Sequence, residues 1–236
     1  MKKNFFTILA VMLMSLTANA QHEYVDLGLP SGTLWATCNV GANSPEEEGD
    51  EFAWGETTPY TGAGNYSFDE NPAVLDPEND AATQNWGSIW RMPSIEQCEE
   101  LINEEYTTSV NTTLNGVEGV RFTGKNGNSI FLPSEQYWSN NISGELYPST
   151  ARGMIIGEDS EHVGMKAWMI SGFREHGRLV RPVFAGYTIS NIPSGWKVNG
   201  STNYGTYGAE EGETIVFTPK NIPAGKKIKS IKAVKQ

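Results

Sequence analysis

The apolar segments of this chain are short, and this limits most strongly what the chain can fold into. Runs such as GTLWATCNVGA, ARGMIIG, MKAWMISGF and GRLVRPVFA hold about four to six strand-forming residues between Gly, Asn and Ser. They predict short β-strands joined by turns. The clearest hairpin is RFTGKNGNSIFL, in which Asn126 and Gly127 are the turn pair.

One segment has the pattern of a strong helix. Ser94 follows a proline and precedes Gln97 by three residues, which is the spacing of a capping box. Apolar residues then recur on one helical face, at Ile95, Cys98, Leu101 and Ile102. A weaker helix is predicted from Ser44, because three glutamates that follow Pro45 would fall in its first turn.

Residues 57–81 are polar and rich in Gly, Pro, Asn and Asp, so they predict a long loop. Within it, Asp76, Glu78 and Asp80 carry oxygens of the kind that calcium binds. They lack a calcium-loop motif, and Asp80 also suits the cap of a following turn. We therefore predict no metal site and no cofactor.

Residues 1–20 have the organisation of a signal peptide. Two lysines precede the apolar run 5–16, and Ala18-Asn19-Ala20 has the small-x-small form of a cleavage site. No later segment reaches the roughly 20 apolar residues of a spanning helix. We expect an exported protein without a membrane span, in the periplasm, at the cell surface or outside the cell.

The charge divides the remaining chain into two parts. Residues 21–186 carry 8 Lys and Arg against 25 Asp and Glu, whereas residues 187–236 carry 7 Lys against 3 Glu. The acidic part argues against nucleic acid and anionic membranes as partners. The pattern Asn-Ile-Pro-x-Gly-x-Lys begins at Asn191 and again at Asn221. We predict a main domain over 21–186 and a small β-rich module over 187–236.

Two cysteines allow two interpretations. In an exported protein Cys38 and Cys98 can form a disulfide, or they can be two small buried thiols. Zinc needs more ligands than two cysteines, and the three histidines lack metal-binding spacing.

The aromatic residues before the predicted helix favour a structural corner. Trp86 and Trp90 suit core positions, and Arg91 suits stacking on a tryptophan or pairing with a buried carboxylate. A ligand contact is the alternative for this group.

Several ordered blocks together resemble the Fibrobacter succinogenes major paralogous domain, a family of secreted domains of gut Bacteroidetes. The blocks are YVDLGLPSGTLWATCNVGA (24–42), FAWGE (52–56), NWG (85–87), WRMP (90–93), NGNSIFLP (126–133), YWS (137–139) and GRLVRPV (177–183). The resemblance implies an α+β, C-type-lectin-like fold with small twisted antiparallel sheets, one main helix and long loops. A small β-module would follow it. The formylglycine-generating enzymes share this fold.

The resemblance also implies where ligand contacts lie. Trp138 and Arg181 belong to blocks that look like core strands, and these blocks bracket the segment 140–179, where related domains often place binding residues. The candidates in it offer stacking faces or directional hydrogen bonds: Tyr147, Arg152, His162, Lys166, Trp168, Arg174 and His176. A core-strand position is the alternative for Trp168. Exposure near a turn is expected for Arg174 and His176.

Three functions remain open at this point. The first is a non-catalytic binding or adhesion domain for a glycan or a surface protein. The second is a structural or assembly subunit of a surface complex or filament. The third is an enzyme related to formylglycine-generating oxidases. These oxidases look as if they need a cysteine pair late in the domain, whereas no cysteine follows Cys98 here. We therefore expect no catalytic residues.

Overall fold

The computed structural model describes residues 22–144, 146–158, 161–164, 166–189, 198–202, 205–209 and 215–217. This part of the chain forms two α-helices and sixteen β-strands. They are α1 (Ala81–Trp86), α2 (Ile95–Ile102), β1 (Tyr24–Asp26), β2 (Leu34–Ala36), β3 (Glu51–Phe52), β4 (Trp90–Arg91), β5 (Thr107–Leu114), β6 (Val117–Gly124), β7 (Ser129–Pro133), β8 (Gln136–Ile142), β9 (Thr150–Ile156), β10 (Ala167–Phe173), β11 (Arg178–Leu179), β12 (Val183–Phe184), β13 (Tyr187–Ile189), β14 (Val198–Thr202), β15 (Gly205–Ala209) and β16 (Ile215–Phe217). The predicted signal peptide and the lysine-rich C-terminal segment lie outside the described residues.

Strands β1 to β12 form three sheets. Their orders are β1-β2-β12-β4, β10-β9-β8-β11-β3 and β5-β6-β7. All neighbours are antiparallel except β8 and β11, which run parallel. The prediction of small, mainly antiparallel sheets with few helices is confirmed in this coarse form. Strands β13 and β16 form one further pair, and β14 and β15 form another.

The predicted hairpin and the predicted main helix are both confirmed. The β6–β7 turn contains Gly127 at φ 84°, and Oδ1 of Asn126 accepts the N–H of Asn128 at 3.0 Å. At the start of α2, Oγ of Ser94 accepts the N–H of Gln97, and Oε1 of Gln97 accepts the N–H of Ser94. The buried face of α2 packs against the five-stranded sheet.

The weak helix predicted from Ser44 is wrong. The segment is a turn, and the side-chain amide of Asn39 donates to the carbonyl of Glu48 at 2.8 Å. Gly49 then adopts φ 79°, which favours glycine and ends any helical path. A short helix forms elsewhere, at the end of the predicted long loop, where Asp80 caps α1 by accepting the N–H of Thr83 at 2.9 Å.

The core consists of two clusters of buried side chains. One contains Trp54, Trp86, Trp90 and Trp138, and the other lies between α2 and the sheets. Cys38 belongs to the first cluster and Cys98 to the second, and both thiols are free. The disulfide interpretation is therefore wrong, because the fold places the two side chains in different clusters.

The other residues that the sequence predicted to have a structural role are buried or half-buried. Trp86 stacks on His22 with ring centroids 3.5 Å apart and meets Trp90 edge-on at 5.2 Å. Half-buried Arg91 donates to the carbonyl of Met92 at 2.9 Å. Arg181 is fully buried, and it donates to Oδ1 of Asn39 at 2.7 Å and to the carbonyls of Ala36 and Thr37. No described helix is long and apolar enough to cross a membrane.

Candidate functional site

The predicted binding segment 140–179 forms the outer half of the five-stranded sheet. Strands β8 and β11 lie side by side, with Leu179 opposite Tyr137. Strands β9 and β10 pair over their full length, and β10 is the edge strand. The chain thus continues from β8 through the β9–β10 hairpin of the same sheet and returns at β11, on the other side of β8.

The seven predicted ligand residues do not form one site. His162, Lys166 and Trp168 lie at one end of β10, whereas Tyr147, Arg174 and His176 lie at the other. Trp168 and Arg174 are six positions apart, which corresponds to about 20 Å along a strand. Arg152 lies on the opposite face from Trp168, because it faces Ser171 in the register. There it pairs with Glu99 of α2, at 3.6 Å between Nη2 and Oε1.

The end of β10 near Trp168 is largely covered. Trp168 is only 9% exposed, and its ring stacks on His162 with centroids 4.3 Å apart. The position agrees with the core-strand alternative for this tryptophan. Stacking on His162 covers one face of the Trp168 ring, so this face is closed to a ligand.

The expectation that Arg174 is exposed is wrong. The residue is 4% exposed. Its Nη1 donates to Oδ1 of Asn71 and to the carbonyl of Pro148, both at 2.8 Å. Its Nη2 donates to the carbonyls of Phe68 and Glu70, at 3.1 and 2.7 Å. Arg174 is buried because the loop oxygens offer its charge the acceptors that water would otherwise provide.

Aromatic rings complete the environment of Arg174. Its guanidinium carbon lies 4.8 Å from the ring centroid of Trp54 and 5.1 Å from that of Phe68. The indole N–H of Trp54 in turn donates to the carbonyl of Ser139 at 3.0 Å. The residue therefore connects three segments: the long loop after β3, the turn before β9 and the turn after β10.

The loop that Arg174 fastens encloses a cavity of about 400 Å³, which we call the loop pocket. Its walls offer hydroxyl, carboxylate and amide groups together with two aromatic rings. They include Glu56, Thr57, Thr58, Tyr60, Asn65, Ser67, Phe68, Asp69, Glu70 and Asn79. Glu56 is held in place, because its Oε1 accepts the N–H and the hydroxyl of Ser67 at 2.7 and 3.1 Å.

Exposed aromatic residues stand at the same end of the sheet. Tyr147 is 66% exposed and Phe173 is 56% exposed. The ring of His176 meets that of Phe173 edge-on, with centroids 5.9 Å apart. We call these three residues the aromatic rim. Backbone contact between the turns, from the N–H of Arg174 to the carbonyl of Ser149 at 3.0 Å, brings them to one edge.

A second arginine, Arg178, was not among the predicted ligand residues. It is 8% exposed, and its guanidinium carbon lies 4.1 Å from the ring centroid of Trp138. Burial lowers the pKa of Arg178 to about 10, so the side chain remains charged at neutral pH. Its place in GRLVRPV suggested a core strand. Because side chains alternate along a strand, Leu179 belongs to the second core cluster, whereas Arg178 faces Trp138 of the first cluster, on the other side of the sheet.

The two cysteines lack the properties of nucleophiles. Burial raises the pKa of both the Cys38 and the Cys98 thiol, so both stay protonated at neutral pH. No group of three or more His, Cys, Asp or Glu residues with metal-binding geometry occurs in the described part of the chain. Asp80 instead accepts backbone N–H groups of Thr83 and Met92.

Comparison of the chain with protein-family models, with curated proteins and with solved structures found no match. The geometry of the described residues therefore carries the functional inference.

Proposed function

We propose that this protein is an exported, non-catalytic binding or adhesion domain that holds a glycan in the loop pocket. The observation that carries the proposal is the buried Arg174, which fastens the loop through four hydrogen bonds and keeps the pocket open in one shape. A pocket held before the ligand arrives loses little conformational entropy on binding.

The chemistry of the pocket favours a glycan. Its volume of about 400 Å³ lies within the range of small-molecule sites. Carboxylates and amides, such as Asp69 and Asn79, accept or donate hydrogen bonds to sugar hydroxyls. Tyr60 in the pocket and Phe173 in the rim offer faces on which sugar rings stack. A surface protein that inserts a polar loop is the competing ligand.

The proposed C-type-lectin-like fold has two supports. Two blocks that resemble the family contribute neighbouring strands, since YWS lies in β8 and GRLVRPV contains β11, which pairs with β8. The bracketed segment between them carries the aromatic rim. Export is part of the same proposal and has its support in the signal-peptide pattern of residues 1–20.

A glycan-array screen of residues 21–236 tests the proposal, with Tyr60→Ala and Phe173→Ala as site variants. Val110→Ala is the matched control, because Val110 is 57% exposed on β5, in a different sheet. We expect binding to one class of glycan, lost in both site variants and kept in the control. Absence of binding to every glycan, or equal binding by all variants, would move the assignment to a protein ligand.

An assembly role is the second candidate, and the edge strand β10 favours it. Charged residues and proline usually protect an edge strand from pairing with another chain. The sequence of β10, AWMISGF, contains neither. In the described part of the chain no strand pairs with its outer side. Strand addition by a partner would extend the sheet. Light scattering of the wild type and of Ser171→Lys tests this, because a lysine on the edge would reduce self-association.

Deletion of residues 187–236 separates the two roles further. A binding domain keeps its glycan affinity without this segment. An assembly subunit that depends on the segment loses retention at the cell surface while its purified main domain still binds the same glycan.

A further inference from the structure

Within the part of the chain that the structure describes, the guanidinium of Arg178 lacks the partners that a buried charge normally has. Its Nη1 is buried and has no hydrogen-bond partner among these residues. No carboxylate of the described residues lies within ion-pair distance of it. Burying a charge without acceptors is unfavourable, so such a side chain is rarely retained for stability alone.

The other two buried arginines of the described residues have hydrogen-bond acceptors. Arg174 donates to four oxygen atoms, and Arg181 donates to three. Each leaves one nitrogen without a partner, but most of its donors have acceptors. Arg178 differs from both, because its guanidinium lies over the aromatic face of Trp138 and has no oxygen acceptor among the described residues.

The surroundings of Arg178 hold the guanidinium in a defined plane. Trp138 lies beneath it and is itself fixed, since its indole N–H donates to the carbonyl of Phe52 at 2.9 Å. Gly172 of β10 lies beside it, and a Cβ at this position would overlap Nη2 of Arg178. The absence of a side chain at Gly172 therefore leaves the space that the guanidinium occupies.

We propose that Arg178, with Trp138 and Gly172, forms a binding site for an oxyanion: a carboxylate or sulfate group carried by a ligand. A planar guanidinium donates two parallel N–H bonds to such a group, and an indole beneath it keeps the fork oriented. The ligand supplies the acceptors that the fold omits. This site shares no lining residue with the loop pocket and does not depend on the glycan proposal.

The charge of the rest of the chain makes the site selective. The protein has a net charge of −11. This field repels anions from most of the surface, so an anion binds only where a local cation outweighs it.

Titration of residues 21–236 with sodium glucuronate, inorganic sulfate and uncharged glucose tests the site. Trp fluorescence and thermal unfolding report binding, because the anion contacts the guanidinium that covers Trp138. We expect glucuronate or sulfate to raise Tm and change the fluorescence, and glucose to do neither. A response to glucuronate alone assigns a carboxylate, and a response to sulfate alone assigns a sulfate group. If neither anion binds, the proposal is wrong.

Three variants attribute the binding to this site. Arg178→Met removes the charge, and Arg178→Lys replaces the fork by a point charge, which we expect to weaken binding by about tenfold. Arg152→Met is the matched control, because Arg152 lies in the same sheet and has Glu99 as its partner. Anion binding that survives in Arg178→Met, or that disappears equally in Arg152→Met, overturns the assignment.

Gly172→Ala covers the case in which Arg178→Met does not fold. It adds one methyl group, which would displace the guanidinium from its position over Trp138. We expect loss of the anion response with an unchanged circular dichroism spectrum. Retention of the response in Gly172→Ala refutes the proposed geometry. Tyr60→Ala should keep the anion response. The anion proposal and the glycan proposal can therefore be refuted independently of each other.

Discussion

The guanidinium carbon of Arg174 lies 4.8 Å from the ring centroid of Trp54, in a position where loop oxygens surround it. Its acceptors lie more than 100 positions away in the chain, at Phe68, Glu70 and Asn71, and 26 positions away at Pro148. One side chain thus holds the long loop against the sheet. Stability and the shape of the loop pocket depend on the same contacts.

Replacement of this arginine should therefore loosen the loop. We expect Arg174→Met to lower the free energy of unfolding by about 2–4 kcal/mol, because several charge-assisted hydrogen bonds are lost and loop carbonyls are left buried. Urea unfolding measures the change, and limited proteolysis should cut within residues 57–81. Arg121→Met is the control, since half-buried Arg121 donates a long, weak hydrogen bond of 3.5 Å to Oγ of Ser129. Equal losses in the two variants would contradict the role of Arg174.

The pH dependence of the free energy of unfolding should reveal the ionisation of buried Asp80. Burial raises the pKa of this carboxyl group, although the N–H groups of Thr83 and Met92 act against the shift. A carboxyl group with a raised folded-state pKa stabilises the fold fully below its unfolded pKa. That contribution disappears as pH rises through the folded pKa. The wild type should therefore lose stability relative to Asp80→Asn from about pH 4 upward.

Urea unfolding of both proteins between pH 4 and pH 7 checks this expectation. Asparagine keeps the helix cap, because its side-chain oxygen still accepts the N–H of Thr83. Asp80→Ala removes the cap and should be about 1–2 kcal/mol less stable than Asp80→Asn at every pH, because neither side chain titrates. Parallel stability curves for the wild type and Asp80→Asn would show that Asp80 does not titrate in this range.

The cysteines should behave as isolated, buried thiols. Because Cys38 and Cys98 are free and burial raises the pKa of each thiol, a thiol reagent should find both only after denaturation. A reducing agent should leave Tm unchanged. A fall in Tm on reduction, together with no reactive thiol in the denatured, unreduced protein, would instead demonstrate a disulfide.

The capping box of α2 offers a local test. Ser94→Ala should lower the free energy of unfolding by about 1 kcal/mol, because the N–H of Gln97 loses its acceptor. Gln97→Ala removes the other half of the box and also the bond from Nε2 to Oγ1 of Thr33, at 2.8 Å. Ser94→Thr keeps an oxygen in the same place and should be nearly neutral. If Ser94→Thr lowers the free energy of unfolding as much as Ser94→Ala, then Ser94 stabilises the protein through packing and not through this hydrogen bond.

Features that arise between close neighbours in the chain were predicted from sequence. The capping box at Ser94 and the turn at Asn126 and Gly127 depend on groups within three or four positions of each other. Strand β5 was missed for the opposite reason. Its sequence TTSVNTTL has the polar composition of a loop, and it becomes a strand by pairing with β6.

By itself the sequence determined the short strands, the single strong helix, the acidic composition of residues 21–186 and the signal-peptide pattern of residues 1–20, because each depends on composition or on local spacing. The tertiary structure decided which arginine is buried with partners, which is buried without them, and that the cysteines lie apart. These properties depend on the free energy of desolvating a charge or a thiol among groups that are distant in the chain. No local pattern around Arg174 or Arg178 contains that information.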